Sequence, residues 1–139
     1  MENSKSVTVE VMINASAEKV WKYWTLPRHI IKWNNASEDW HSPKAENDLQ
    51  IGGRFLTRME AKDGSVGFDF EGTYNILRDN EYIQYTMDDG RKVEIVFAIH
   101  GDQISVTETF DIENQNPESL QREGWQAILN NFKKYVENN

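Results

Sequence analysis

Two polar side chains stand where the surrounding pattern is apolar, and they are the residues of this 139-residue sequence best placed for chemistry. In "QISVTETF", Ile104, Val106 and Phe110 alternate onto one strand face, and Glu108 shares that face. In "LQREGWQAILNNFKKYV", a helical projection gathers Leu120, Trp125, Ile128, Leu129, Phe132, Tyr135 and Val136 into one half of the wheel, with Gln121 close to the centre of the arc. A buried carboxylate is expensive unless it is paired, hydrogen-bonded or protonated. Glu108 and Gln121 therefore have two readings. In the structural one they satisfy an arginine or a tyrosine hydroxyl; in the functional one they orient a ligand inside an otherwise apolar pocket. If Glu108 is buried, its pKa is expected to be raised.

Gly124 lies inside the same helical arc, near its edge and directly before Trp125. A glycine within a helix costs about 1 kcal/mol relative to alanine. Because the missing side chain is missing on the apolar face, the position makes room, either for a crossing sheet backbone or for a bound molecule.

Other chemistry is sparse. His29, His41 and His100 are scattered, with no His-x-x-x-His or Glu-x-x-His spacing, so no metal site is expected; His41, beside Trp40, is the one histidine of interest. No nucleophile elbow, P-loop or dinucleotide fingerprint occurs. The absence of cysteine excludes disulfides, thiol catalysis and zinc-thiolate centres. No catalytic residue and no cofactor is expected. Glu60, Asp63, Asp88 and Asp89 are expected to be solvated turn residues.

The 23 acidic residues outnumber the 15 basic ones, giving a net charge of −8. That balance argues against nucleic acid or an anionic membrane surface as partner, since both reward clustered lysine and arginine. No stretch approaches the roughly 18 apolar residues of a membrane span. "MENSKSVTVEV" carries no signal-peptide run, so membrane insertion is not expected and a cytoplasmic location is. A chain of this length is expected to form one domain, residues 1–139. Its five tryptophans, five tyrosines and six phenylalanines either fill a core or line a cavity.

The elements that must position these residues follow from periodicity. "SVTVEVMIN" alternates Val7, Val9, Val11 and Ile13 against polar neighbours and predicts a half-buried strand. Ser16 caps a helix carrying Val20, Trp21 and Trp24; Pro27 ends it and opens a second short helix, "PRHIIKW". The stretch 37–53 reads as irregular, with a short strand around Trp40. A meander of five or six strands follows, turning at Asp63-Gly64, Asp89-Gly90 and Gly101-Asp102. Its inward sets are Phe55, Thr57 and Met59; Phe68, Phe70, Gly72, Tyr74 and Ile76; Ile83 and Tyr85; and Val93, Ile95, Phe97 and Ile99. A long helix capped at Asn116, with Pro117 first, ends the chain. The order predicts an α+β fold, one curved antiparallel sheet with helices on a single face.

"NASAEKVWKYWTLPRHIIKW", "DLQIGGRF", "FEGTYNI", "EYIQYTM" and "GWQAILNNFKKYV" occur in an order that resembles the START-like, or SRPBCC, superfamily. Within it they resemble the C-terminal domain of activators of the Hsp90 ATPase, over about residues 7–137. The resemblance implies a helix-grip fold, in which the sheet curls around the C-terminal helix and encloses an apolar cavity. It matches Gly52 and Gly53 to the family's paired glycines, either at a cavity mouth or at the start of a strand. It matches Gly124 and Trp125 to a glycine-tryptophan that faces the cavity. Trp33 matches the tryptophan closing the second helix; Asn34 stands where the family often has a second aromatic.

The expected function is non-enzymatic binding of a small hydrophobic or amphipathic molecule. The expected wall is Trp33, Phe55, Phe70, Tyr74, Tyr85, Phe97, Gly124, Trp125, Ile128 and Phe132, with Glu108 and Gln121 as polar anchors. The resemblance also implies two alternatives: an accessory protein that binds a chaperone of the Hsp90 type, and an enzyme such as a cyclase or hydrolase.

Overall fold

Alternation sets the first strand, β1 (Ser6–Ile13), whose Val7, Val9, Val11 and Ile13 are buried while the residues between them face solvent. A computed structural model describes residues 5–139; the first four, part of the stretch read for a signal peptide, lie outside the described residues. Helix α1 (Ala17–Thr25) starts at Ser16, whose Oγ accepts the Lys19 N–H at 3.2 Å. Leu26 closes α1 by donating its N–H to the Lys22 carbonyl, and Pro27 then opens α2 (Pro27–Trp33).

Six strands follow: β2 (Trp40–Asn47), β3 (Arg54–Ala61), β4 (Gly67–Arg78), β5 (Tyr82–Met87), β6 (Lys92–His100) and β7 (Gln103–Asp111). They form one antiparallel sheet in the order β1-β7-β6-β5-β4-β3-β2. The α1–α2 pair thus carries the chain from one edge of the sheet to the other. Helix α3 (Glu118–Asn138) returns across the concave face. The seven curled strands, the long C-terminal helix and the two short helices after β1 are the helix-grip arrangement.

Strand β1 is a sheet edge, and an edge leaves backbone groups unpaired. Side chains of α3 cover them. Arg122 donates to the Thr8 carbonyl at 3.2 Å, Gln126 to that of Glu10 at 3.2 Å, and Lys133 to that of Met12. Alternate residues of the strand meet one face of the helix, one and then two turns apart, which ties α3 along β1. At the other edge α2 packs along β2. Among the described residues α3 makes no comparably broad contact with β3, β4 or β5. A gap is left there.

Several expectations need correction. Residues 40–47 form a full strand rather than an irregular stretch, with a register shift between His41 and Lys44 around Pro43, where a residue without an N–H cannot continue the ladder. A second shift between Tyr74 and Ile76 reverses the phase of β4, so Leu77 packs on the core opposite Ile83 in place of Ile76. Phe68, Ile99 and Leu120 are largely exposed. Pro117, not Asn116, is the last residue before α3, and Asn116 instead donates its N–H and Nδ2 to the Glu113 carboxylate at 2.8 and 2.7 Å.

The paired glycines belong to a tight loop. Gly52 has φ +83°, and a Cβ on Gly53 would lie 2.1 Å from the Asp48 carbonyl oxygen. The loop is held to β4 by the Gly52 N–H on the Tyr74 carbonyl (2.8 Å) and the Tyr74 N–H on the Gly53 carbonyl (3.0 Å). This is their structural reading, away from the cavity. An aromatic cluster joins the three helices: Phe132 lies edge-on to Trp24 and Trp33, with centroids 4.8 and 4.7 Å away, and Trp33 donates its indole N–H to the Tyr23 carbonyl at 2.9 Å.

Candidate functional site

The gap between α3 and the middle of the sheet is a cavity of about 1080 Å³. Strands β3, β4 and β5 supply its floor through Phe55, Phe70, Tyr74, Ile83 and Tyr85, and β7 adds Glu108. Helix α3 forms the roof with Gln121, Gly124, Trp125 and Ile128, while Trp24, Ile30 and Trp33 close the end toward α1 and α2. Trp125 is stacked on Phe110 at 4.1 Å and meets the edge of Phe70 at 6.2 Å. That indole spans the gap between helix and sheet.

Ten of the twelve expected wall and anchor residues contribute to the lining: Trp33, Phe55, Phe70, Tyr74, Tyr85, Glu108, Gln121, Gly124, Trp125 and Ile128. Phe97 and Phe132 do not. Phe132 is wholly buried between Trp24 and Trp33, and Phe97 packs against Trp21 at 5.4 Å and Trp24 at 5.9 Å. Helical and strand periodicity distinguish inside from outside, but not a wall from the core behind it.

Gly124 answers its own question. A Cβ built there meets nothing within 4 Å, so no sheet backbone crosses at this point. The room it leaves is cavity space.

Gln121 and Glu108 part company. The Gln121 Oε1 accepts the Glu113 N–H at 3.0 Å, and its Nε2 donates to the carbonyls of Glu113 (3.0 Å) and Asn116 (2.8 Å). Its amide is committed to holding the β7–α3 loop, a structural role with backbone partners instead of an arginine or tyrosine. Glu108 has no such partner. It is 5% exposed, between Val9 of β1 and Ile95 of β6, and burial alone pushes its carboxyl from the usual 4.5 up to about 8. The Tyr85 phenol feels it: burial first, then the Glu108 charge, holds that hydroxyl well above the ordinary tyrosine range.

Sequence reading missed Asn47. Its Oδ1 accepts the Tyr74 hydroxyl at 2.7 Å and its Nδ2 donates to the Thr25 carbonyl at 2.6 Å, linking β4, β2 and α1 at the cavity wall. Strand alternation would have flagged it had β2 been read as a strand. Burial outweighs this hydrogen bond and raises the Tyr74 pKa. Asn34 also lines the cavity, and its carbonyl accepts the Ser42 hydroxyl.

Of the acids expected in turns, Glu60 instead lies within β3, 2.8 Å from the Arg58 Nε, and Asp88 and Asp89 are paired as well as solvated. Arg54 grips Asp88 through two hydrogen bonds of 2.8 Å, which lower the aspartate's pKa, and Arg91 Nε meets Asp89 at 2.8 Å. Asp88, Asp89 and Arg91 all reach the cavity rim. The histidines stay apart from it. His41 Nε2 lies 3.7 Å from Glu60, His100 Nε2 is 3.0 Å from the Ser105 hydroxyl, and His29 Nδ1 is 2.8 Å from the Tyr135 hydroxyl with its ring stacked on Tyr23 at 4.0 Å. Among the described residues no group of three or more carboxylates or histidines could hold a metal ion, and no helix is long and apolar enough to cross a membrane.

Comparison with known proteins gives the relationship. No curated protein matches the chain. The solution structure of a protein from Cytophaga hutchinsonii is 57% identical, with 96% of this chain and 93% of that one covered at a TM-score of 0.84. The solution structure of the AHSA1-like protein from Aeromonas hydrophila is 44% identical over the same shares, with a TM-score of 0.90. A crystal structure from Chromobacterium violaceum, 23% identical with 97% and 99% covered, shares the fold at a TM-score of 0.87. The family model described as activator of Hsp90 ATPase homolog 1-like protein matches residues 14–137, and the chain belongs to that family.

Proposed function

We propose that this domain binds a small hydrophobic or amphipathic molecule in the cavity between sheet and α3, and does so without chemistry on it. The observation that carries the reading is the unfilled space itself. About 1080 Å³ stands open beneath a helix whose Gly124 could have carried a side chain into it without collision. A well-packed core has few voids larger than a water molecule. Ligand pockets are typically about 300–1,000 Å³, apolar, and furnished with a few polar groups. A ligand burying about 300 Å² of apolar surface would gain about 7 kcal/mol at 25 cal/mol per Å², before the cost of immobilisation. Glu108 has no nucleophile or second acid-base group hydrogen-bonded to it, which favours holding a molecule over transforming one.

An amide and indole NMR titration against lipids, flavonoids and aromatic metabolites tests this. Shifts clustered on Trp125, Tyr74 and the neighbours of Gly124 are expected. A panel that leaves those resonances unmoved would overturn the reading.

A further inference from the structure

We infer that the cavity selects molecules with a positive charge on an apolar body, an ammonium group being set against Glu108 and the aromatic rings around it. This rests on the ligand-binding reading above and names the ligand class. The first observation is that Glu108 lies nine-tenths buried in the wall of a large cavity, with no protein group compensating it. A buried carboxyl without a partner is costly, and the cavity is the one side from which a partner can come.

The second observation is the company it keeps. Phe55, Phe70, Tyr85 and Trp125 line the same space, with neighbouring centroids 4.6 to 6.2 Å apart. Ammonium groups are attracted to aromatic faces, most strongly where water is excluded. The third is the rim. Glu46, Asp69, Glu71, Asp88, Asp89 and Glu113 all border the cavity, and the bases paired with them, Lys44, Arg58, Arg54 (with both Glu71 and Asp88) and Arg91, are fewer, so the mouth keeps an excess of negative charge. An excess of one sign at the rim favours entry of the opposite charge over its own. A fatty acid or a phosphate ester would meet repulsion at the mouth and a carboxyl at the floor.

No cation pairs with Glu108: Arg91, whose charge reaches the neighbouring Tyr85 phenol, is bonded to Asp89. Strands β1 and β6 set Val9 and Ile95 beside it, β5 brings the Tyr85 phenol, and α3 contributes the neutral Gln121, Gly124, Trp125 and Ile128 to the wall. Near neutrality Glu108 is mostly protonated, so docking a permanent cation expels one proton to solvent. Affinity then rises with pH until the carboxyl is ionised without help.

The test uses the intact protein and three ligands of equal chain length: decyltrimethylammonium, decanol and decanoate. Their binding is followed by tryptophan fluorescence at pH 6 and pH 8. Because the ammonium does not titrate, its affinity is expected to rise about 50-fold between the two, as a carboxyl half ionised at pH 8 requires. At pH 8 it should exceed that of decanol about tenfold, with decanoate weakest. Glu108→Gln should abolish the pH dependence for the ammonium. Decanol or decanoate binding as tightly as the ammonium at pH 8 overturns the inference while sparing the cavity reading. An ammonium affinity insensitive to pH in the unmodified protein overturns it equally, and that measurement needs no variant to fold. Silence from all three ligands would remove the cavity reading as well.

Discussion

Replacing Glu108 by glutamine should make the protein more stable, by an amount that depends on pH. The folded carboxyl has its pKa raised from 4.5 to about 8, with burial as the cause. Below pH 4.5 both folded and unfolded chains carry the proton, and the group is neutral in each. As pH rises past 4.5 the unfolded chain releases its proton while the folded one keeps it, so unfolding is favoured progressively until the folded group also ionises near pH 8. Each unit of this interval is worth about 1.4 kcal/mol, which makes the deficit about 3 kcal/mol at pH 7 and about 5 kcal/mol above pH 9. Glutamine has the same shape and no charge to lose. Urea unfolding of both proteins from pH 4 to pH 9 should give midpoints that coincide at the acid end and diverge as pH rises. At an unfolding entropy of about 2.1 cal/mol/K per residue, 3 kcal/mol corresponds to about 10 °C in Tm at pH 7. Stability curves that run parallel across the range would refute the argument, because they would mean that Glu108 titrates alike in both states.

Four further variants discriminate wall from core and test a second titrating group. Gly124→Ala should raise stability by about 1 kcal/mol, or about 3 °C in Tm, since the new methyl meets open space, and it should weaken ligand binding by narrowing the cavity; thermal unfolding with and without ligand reads both. Phe132→Ala should cost about 3–5 kcal/mol because that ring is wholly buried between two tryptophans. Trp125→Ala should cost less than Phe132→Ala while removing most of the binding, so denaturant midpoints and ligand titrations rank the two variants in opposite order. His29 acts in the opposite sense to Glu108: burial, then Arg28 and Lys22, lower its pKa, so its contribution is present above 6.5 and is lost as pH falls through its folded value. In His29→Gln the acid-side loss should flatten, as followed by urea midpoints between pH 4 and 7.

The inward faces of β1, β5 and β7 could be read from alternation because β1 and β5 keep period two throughout and β7 departs from it only at Ser105, buried beside His100. Strand β4 could not, because the shift after Tyr74 inverts the phase and exchanges Ile76 for Leu77. Strand β2 was hidden by Pro43 and by polar residues that a half-exposed edge tolerates, and with it went Asn47, the partner of Tyr74. The candidate site divides along the same line. Glu108 and Gln121 stood out as polar groups on apolar faces, which local pattern reveals. Their different fates depend on the β7–α3 loop, which folds back onto Gln121 and leaves Glu108 alone. That is tertiary information, absent from any window of the sequence.

Gly124 and Glu108 make one argument when they are taken together. Both border the same cavity, one on the helix and one on the sheet. The glycine gives up about 1 kcal/mol of helix stability, and the buried carboxyl gives up about 3 kcal/mol at pH 7. Against a typical stability of 5–15 kcal/mol, both are large concessions. Either could be recovered by a single substitution that fits the space present: a methyl at Gly124 meets nothing, and an amide is isosteric with the Glu108 carboxyl. Such concessions are expected where function needs space and charge that folding does not. A cationic ligand would offset both at once, filling the volume left by Gly124 and pairing with the carboxylate. The stabilisation on binding would then be largest above pH 8, where the unliganded protein is weakest, and thermal shifts recorded with decyltrimethylammonium across that range should grow with pH in the unmodified protein and stay level in Glu108→Gln. A shift of constant size in both proteins would separate the cavity from the charge and leave the buried glutamate without a role in binding.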